Sequence, residues 1–243
     1  MLTPCCSVLE LRQYTLYPGK RDVLIDLFER EFVESQELTG MRLVGQFRDL
    51  DRPNKFVWLR DDLEARRVSL QTFYDGPVWK AHREAANATM EDSDNVLLLR
   101  PVEARWAFAA ASHNTRPPAG AAGGPAKLVF ANLYSLSTPV DESFRRLFDH
   151  EIAPALVEAG APPLAALETE PSENTFPRLP VRTGENVFIW FVSVGSEAEL
   201  PALEARLAHS PRWTRAVAPE RARRLSRAPE RMRLAPTTRS LLR

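Results

Sequence analysis

VLELRQYTLYPGKRDVLIDLFEREFVES, residues 8–35, returns without a gap as LVFANLYSLSTPVDESFRRLFDHEIAPA, residues 128–155. Tyr14 falls on Tyr134, Leu16 on Leu136, Leu27 on Leu147, Phe28 on Phe148 and Glu31 on Glu151. The likeness continues downstream. Phe56-Val57-Trp58-Leu59 recurs as Phe188-Ile189-Trp190-Phe191, and Gly76-Pro77-Val78-Trp79 as Ser210-Pro211-Arg212-Trp213. A repeat on this scale is a whole small folding unit rather than one turn of a solenoid. Each copy is therefore a control for the other. Positions alike in both hold the fold, and positions that differ are where a site can have been placed.

Within the first copy, residues 8–16 alternate in polarity and read as a strand ended by Pro18-Gly19. Leu24, Leu27, Phe28 and Phe32 then keep the spacing of an amphipathic helix, which Gly40 closes. Strands follow over 41–48 and 55–60, joined across the turn Asp51-Arg52-Pro53-Asn54. A helical stretch runs from Leu63 to about Thr72, another starts after Asp75 with Pro77 in its first turn, and Val96–Leu99 is a buried strand stopped by Pro101. Strand, helix, strand, strand, helix, strand is the ferredoxin-like βαββαβ order. The second copy ends in a weaker strand around Met232–Leu234, before Pro236. The expected fold is thus α+β: a first domain over 1–106, an Ala/Pro/Gly linker over 107–126 and a second domain over 127–243. A sheet with helices on one face leaves its other face open. Two tandem units can close on each other as a barrel-like pseudo-dimer, or each can pair with another molecule, so a homo-oligomer is also expected.

The 32 Lys and Arg are balanced by 32 Asp and Glu, which argues against a nucleic-acid binder or an anionic-membrane binder. No stretch reaches the ~20 apolar residues of a membrane span. Met1-Leu-Thr-Pro-Cys-Cys lacks the basic start and apolar run of a secretory signal, so a cytoplasmic protein is expected. Cys5 and Cys6 are the only cysteines, too few for a disulfide framework or a four-thiolate zinc site.

The stretches LELRQYTLYPGKRD, GQFRDLDRPNKFVWLR and FYDGPVWKAHREAANATMEDSDNVLLLRP resemble the NIPSNAP family of the dimeric α/β-barrel superfamily, in its bacterial two-copy form. The resemblance covers nearly the whole chain and implies ferredoxin-like units paired through their sheets. The wider superfamily includes cofactor-independent monooxygenases, haem-degrading oxygenases, isomerases and chlorite dismutases. NIPSNAP members have no agreed activity, so the resemblance supplies a fold and leaves the reaction open.

In that architecture a small-molecule cavity lies between sheet and helices. His82, three residues after Trp79, shares its helix face, whereas the second copy keeps Trp213 but has Ala216 in the histidine's place. A histidine there can serve as acid/base or as an axial haem ligand. Glu31 sits on an apolar stripe, where a carboxylate must be paired, with Arg48 or Arg12, or shift its pKa. Arg12 differs from Asn132 and can hold a carboxylate or phenolate. Tyr14, Trp58 and Trp79 are aromatic lining, and Asn87 is a polar group on the same helix. Catalytic candidates are therefore His82 and Glu31, and substrate-binding candidates are Arg12, Tyr14, Trp58, Trp79 and Asn87. No two histidines stand at i, i+3 or i, i+4, so no metal is expected. The second copy also carries an insertion of 12 residues within Glu168–Asn186, a Pro-rich segment suited to a flap over a cavity, to an oligomer arm or to a plain loop.

Three readings follow. The first is an enzyme on a small aromatic or apolar substrate, a cofactor-independent monooxygenase or isomerase using His82. The second is a haem-binding protein with His82 as axial ligand. The third is a non-catalytic binding or assembly protein.

Overall fold

The computed structural model of the chain describes residues 8–61, 66–109, 116–124 and 126–243. The alternating start becomes β1 (Leu9–Leu16). After it come α1 (Arg21–Leu27), a π-helical turn (Phe28–Phe32) and α2 (Val33–Glu37), one continuous helical segment that Gly40 ends at φ +92°, a left-handed conformation that glycine adopts without strain. Then follow β2 (Arg42–Asp49), β3 (Lys55–Asp61), α3 (Arg66–Tyr74), α4 (Pro77–Asn87), a short β4 (Met90–Asp92) and β5 (Val96–Pro101). The helix expected from Leu63 is described from Arg66, because residues 62–65 lie outside the described residues, as do Cys5 and Cys6.

The second half has a similar order of elements. It runs through β6 (Leu128–Ser135), α5 (Glu142–Leu147), a π turn (Phe148–Ile152), α6 (Ala153–Glu158), β7 (Pro163–Thr169) and β8 (Val187–Val194). It finishes with α7 (Leu200–His209), a π turn (Trp213–Val217), α8 (Ala218–Arg224) and β9 (Glu230–Pro236). The first π turns of the two halves occupy matching positions, Phe28–Phe32 and Phe148–Ile152.

All pairings are antiparallel, and they close. The order β3-β2-β9-β6-β8-β7-β5-β1 returns to β3 through Leu9↔Asp61, Leu11↔Leu59 and Gln13↔Val57. Only β4 stands outside this eight-stranded ring, flanking β1. Two seams join the halves: Phe47↔Pro236 to Asp49↔Leu234 between β2 and β9, and Leu99↔Thr169 to Pro101↔Leu167 between β5 and β7. Closure leaves no open edge among the eight ring strands, which matters because unpaired edges invite aggregation.

Side chains that alternate inward fill the ring. Leu9, Leu11, Val57 and Leu59 from the first half meet Ala131, Leu133, Ile189 and Phe191 from the second, all within one apolar cluster. Eight strands give an interior just wide enough for side chains to fill. The open sheet face that each half would leave is thereby buried on the other. The outward faces carry the helices, with one cluster around Phe148, Phe188 and Trp190 and another around Phe28, Phe56 and Trp58. Among the described residues no helix is long and apolar enough to cross a membrane.

The expected linker is pinned at its described ends. Phe108 is 1% exposed and packs on Phe191 inside the ring, with ring centroids 5.1 Å apart. Arg116 donates to Glu37 and to the Leu43 carbonyl. The chain after β9 also anchors the first half. Ser240 Oγ accepts from the Gln46 backbone N–H at 3.1 Å, and Arg239 pairs with Glu34.

Candidate active site

Strand alternation puts Glu10, Arg12, Tyr14, Trp58 and Arg60 on the helix-facing side of the first-half sheet. Glu10 is fully buried and takes three guanidinium groups: Arg12 at 2.5 Å, Arg60 at 2.5 Å and Arg66 of α3 at 2.7 Å. Burial alone would raise the Glu10 carboxyl. Arg60, Arg12 and Arg66 outweigh it and hold the group well below the usual carboxylate range. Burial likewise opposes the Arg12 charge, but Tyr14 and Glu10 keep it protonated. Arg60 extends the network to Gln36, and Arg66 extends it to Asn174 of the second half.

Above this charged floor lies an aromatic cavity of about 30 Å³, lined by Tyr14, Phe28, Phe32, Trp58, Phe73, Tyr74 and Trp79, with Leu24, Gln36, Ala86 and Met90 between them. Room for one water needs about 10–15 Å³, so the space holds roughly two waters. Arg12 Nε donates to the Tyr14 hydroxyl at 3.1 Å, and the guanidinium stacks 5.3 Å from the Trp58 ring. The Trp58 indole N–H is buried and finds no acceptor among the described residues. Tyr74 is pushed up to about 12, first by burial and then by Tyr14, so it stays a neutral phenol.

The insertion packs against one wall of this cavity from the other half. Phe176 is 5% exposed and stacks on Tyr74 at 6.0 Å and 21°. Asn174 holds Arg66, Arg178 pairs with Asp75, and Arg182 bonds Asn95. Of the three expectations for this segment, the structure places it over the cavity as a strap.

Of the residues singled out in the sequence, Tyr14, Trp58 and Trp79 come together on the cavity wall, with Arg12 directly behind. His82 and Glu31 meet elsewhere. His82 Nε2 lies 3.5 Å from Glu31 Oε2, and both side chains are about one-third exposed. Phe32 stands between them and the cavity, its ring centroid 6.3 Å from that of His82. Glu31 is not buried against an apolar stripe as expected. The π turn swings it outward, where Arg30 and His82 are its partners. Arg48 pairs with Asp22 instead, and Arg12 with Glu10. Asn87 is exposed near the end of α4. His82, the residue expected as an axial haem ligand, does not line this cavity. Among the described residues no three His, Cys, Asp or Glu side chains converge on a metal position.

The Arg12–Glu10 pair is legible from the sequence as the simpler partnership of Arg12; the full burial of Glu10, and Arg60, Arg66, Tyr74 and Phe176, were missed. For two of them the copies carried the signal. Phe130 stands where Glu10 does, and Val192 where Arg60 does, so the first half has charge in a core the second half fills with apolar groups.

A closed antiparallel ring sheathed by helices, with an aromatic cavity between sheet and helix, defines an α+β barrel protein. Residues 9–104 match the NIPSNAP family, and this stretch of the chain is a NIPSNAP domain. Two solved structures share the barrel over the whole length. One is a candidate monooxygenase from Fusobacterium nucleatum, at 9% identity, TM-score 0.55, and coverage of 96% of this chain and 93% of that one. The other is an anthrone oxidase-like protein, at 13% identity, TM-score 0.53, and coverage of 95% and 91%. Identities this low establish the shared fold. Comparison with curated proteins gives no match.

Proposed function

We propose that the protein is a monooxygenase-like enzyme that takes a small oxygen-bearing aromatic molecule into the first-half cavity and needs no bound cofactor. Its two halves are ferredoxin-like units, 1–106 and 127–243, joined as a pseudo-dimer. The observation that carries the reading is the unpartnered Trp58 N–H in an aromatic cavity backed by the Arg12–Tyr14 pair. A buried donor without an acceptor costs about 1–3 kcal/mol, which a ligand oxygen would recover. The aromatic walls select a planar ring, and the Arg12 charge favours that oxygen as an oxyanion. A phenol or enol that has lost its proton to water is electron-rich enough to react with dioxygen. Oxidation of a ring CH2 to C=O then places one oxygen atom in the product, and the second leaves as water with the two hydrogens of the substrate. The likeness of the barrel to an anthrone oxidase-like protein and to a candidate monooxygenase supports the same reading. Entry requires the strap bearing Phe176 to withdraw, since the closed space is too small for a ring.

The test is dioxygen uptake with anthrone and with a simple quinol as probes. Uptake above the buffer rate is expected, with a loss of about 10–100-fold in kcat/KM for Trp58→Phe at unchanged melting temperature. No uptake by the native protein, or full activity in Trp58→Phe, would overturn the proposal. His82→Ala completes the test: lost turnover with probe binding intact would assign the proton transfer to the His82–Glu31 pair.

A further inference from the structure

The second half holds a cleft at the position corresponding to the first-half cavity, and it is more open. Its inner part, about 130 Å³, is walled by Phe130, Trp190, Leu207 and Trp213. Phe130, Glu204 and Arg231 also line an outer lobe of about 400 Å³ along α7.

The chemistry on offer is the reverse of the first half's. Asn132 replaces Arg12, Trp190 Nε1 donates to the Tyr134 hydroxyl at 3.1 Å, and the guanidinium that reaches this hydroxyl is that of Arg221 on α8. What remains unmatched is an acceptor. Asn132 lines the cleft, is 4% exposed, and its Oδ1 has no hydrogen-bond partner among the described residues. A second group faces the same space. The Arg221 guanidinium lies 5.7 Å from the Trp213 ring and 5.9 Å from the Tyr134 ring, and it has no carboxylate partner among the described residues. The neighbouring cations are neutralised: Arg231 pairs with Glu204, and Arg233 with Asp51 and Glu197. With Trp79 paired to Trp213, Arg221 takes the place of Asn87, so this cation is particular to the second half.

We propose that this cleft is a binding site for an aromatic carboxylate that also carries a hydroxyl or amino group. The ring packs against the two tryptophans, the hydroxyl or amino hydrogen is donated to Asn132 Oδ1, and the carboxylate meets Arg221. Each element answers a specific vacancy. A buried carbonyl oxygen left without a donor is costly, a guanidinium stacked on indole is preorganised for a carboxylate, and an indole-walled slot excludes nothing as effectively as a non-planar ligand. The outer lobe leaves room for ring substituents.

The probe is 6-hydroxy-2-naphthoate, titrated against the whole protein by tryptophan fluorescence and calorimetry, beside 2-naphthoate, which lacks the donor, and 2-naphthol, which lacks the carboxylate. Saturable binding is expected, weakened at least about tenfold when either group is missing. Arg221→Met, a half-buried site that tolerates an apolar chain, should abolish the preference for the carboxylate. Asn132→Leu should abolish the preference for the hydroxyl, with melting curves confirming that each variant folds. Trp58→Phe should leave both preferences in place, which separates this cleft from the first-half cavity. Absence of binding at millimolar probe, retention of both preferences in the Arg221 and Asn132 variants, or loss of either preference in Trp58→Phe would each overturn the proposal.

Discussion

Arg12 and Asn132 stand on the same face of corresponding strands, each two residues before a buried tyrosine, and their difference propagates through hydrogen bonds rather than through shape. Arg12 captures the Tyr14 hydroxyl and leaves the Trp58 N–H without an acceptor; Asn132 leaves Tyr134 for Trp190 and is itself left unmatched. Comparing the copies at Arg12 pointed to this, because an alternating strand fixes which side chains share a face. His82 was chosen by the same comparison and lies outside the cavity, because helix spacing gives a face but not which ring shields it. A further residue tests burial directly. By alternation Asp61 falls on the ring side of β3 with Val57 and Leu59, is 2% exposed, and its Oδ1 has no partner among the described residues. Burial pushes it up to about 7 against the pull of Arg42. The folded state therefore binds a proton that the unfolded state has released above about pH 4. The resulting cost is absent below that pH, grows as pH rises, and is complete above 7. Asp61→Asn should raise stability on the order of 2 kcal/mol at pH 8 and change it little at pH 4, read from denaturant unfolding at the two pH values. Equal effects at both would show that Asp61 is ionised throughout.

At the scale of elements, the strap 170–186 is the device that joins the halves functionally. It leaves the ring after β7, crosses to the first half, and returns to β8. Phe176 and Arg178 meet Tyr74 and Asp75 at the end of α3, and Arg182 meets Asn95 just before β5. Phe176→Ala should cost about 3 kcal/mol and enlarge the cavity below it, because a loop residue packed on Tyr74 and Leu179 leaves a space that its neighbours only partly fill. The check is acrylamide quenching of tryptophan fluorescence. Quenching should rise in Phe176→Ala and stay unchanged in Trp58→Phe/Trp79→Phe/Phe176→Ala, where the tryptophans beneath the strap are gone. A rise that persists in the combined variant would mean that the strap does not cover them. The strands and most helices were legible in the sequence, since period-2 and period-3.6 patterns, Gly40 and the proline stops mark them locally. The strap's destination was not, because three prolines and one phenylalanine have no periodicity and their partners lie about a hundred residues away. The π turns escaped for a related reason: one inserted residue per turn leaves the apolar spacing nearly intact while rotating Glu31 out of the core.

For the whole molecule, the ring makes the two halves of the chain into one interior. Each half's sheet ends at seams only three residue pairs long, yet its entire inner face is buried on the other half. Apolar burial scales with area, so the interior outweighs the seams in holding the halves together, and neither half can open without exposing both. Phe108, from the segment between the units, and Leu242, at the far end of the chain, add apolar cover to the same interior. Leu133→Ala, a second-half substitution at the centre of that interior, should cost about 3 kcal/mol. It should also lower amide protection in β1 and β3 of the first half as much as in β6 and β8. Hydrogen exchange under native conditions reads this strand by strand, because protection in a cooperative unit falls together when any part of its core is weakened. Equal losses in both halves, with one unfolding transition, follow if the ring is the folding unit. Losses confined to the second half, or two separate transitions, would mean that the repeats fold independently and only then close the barrel.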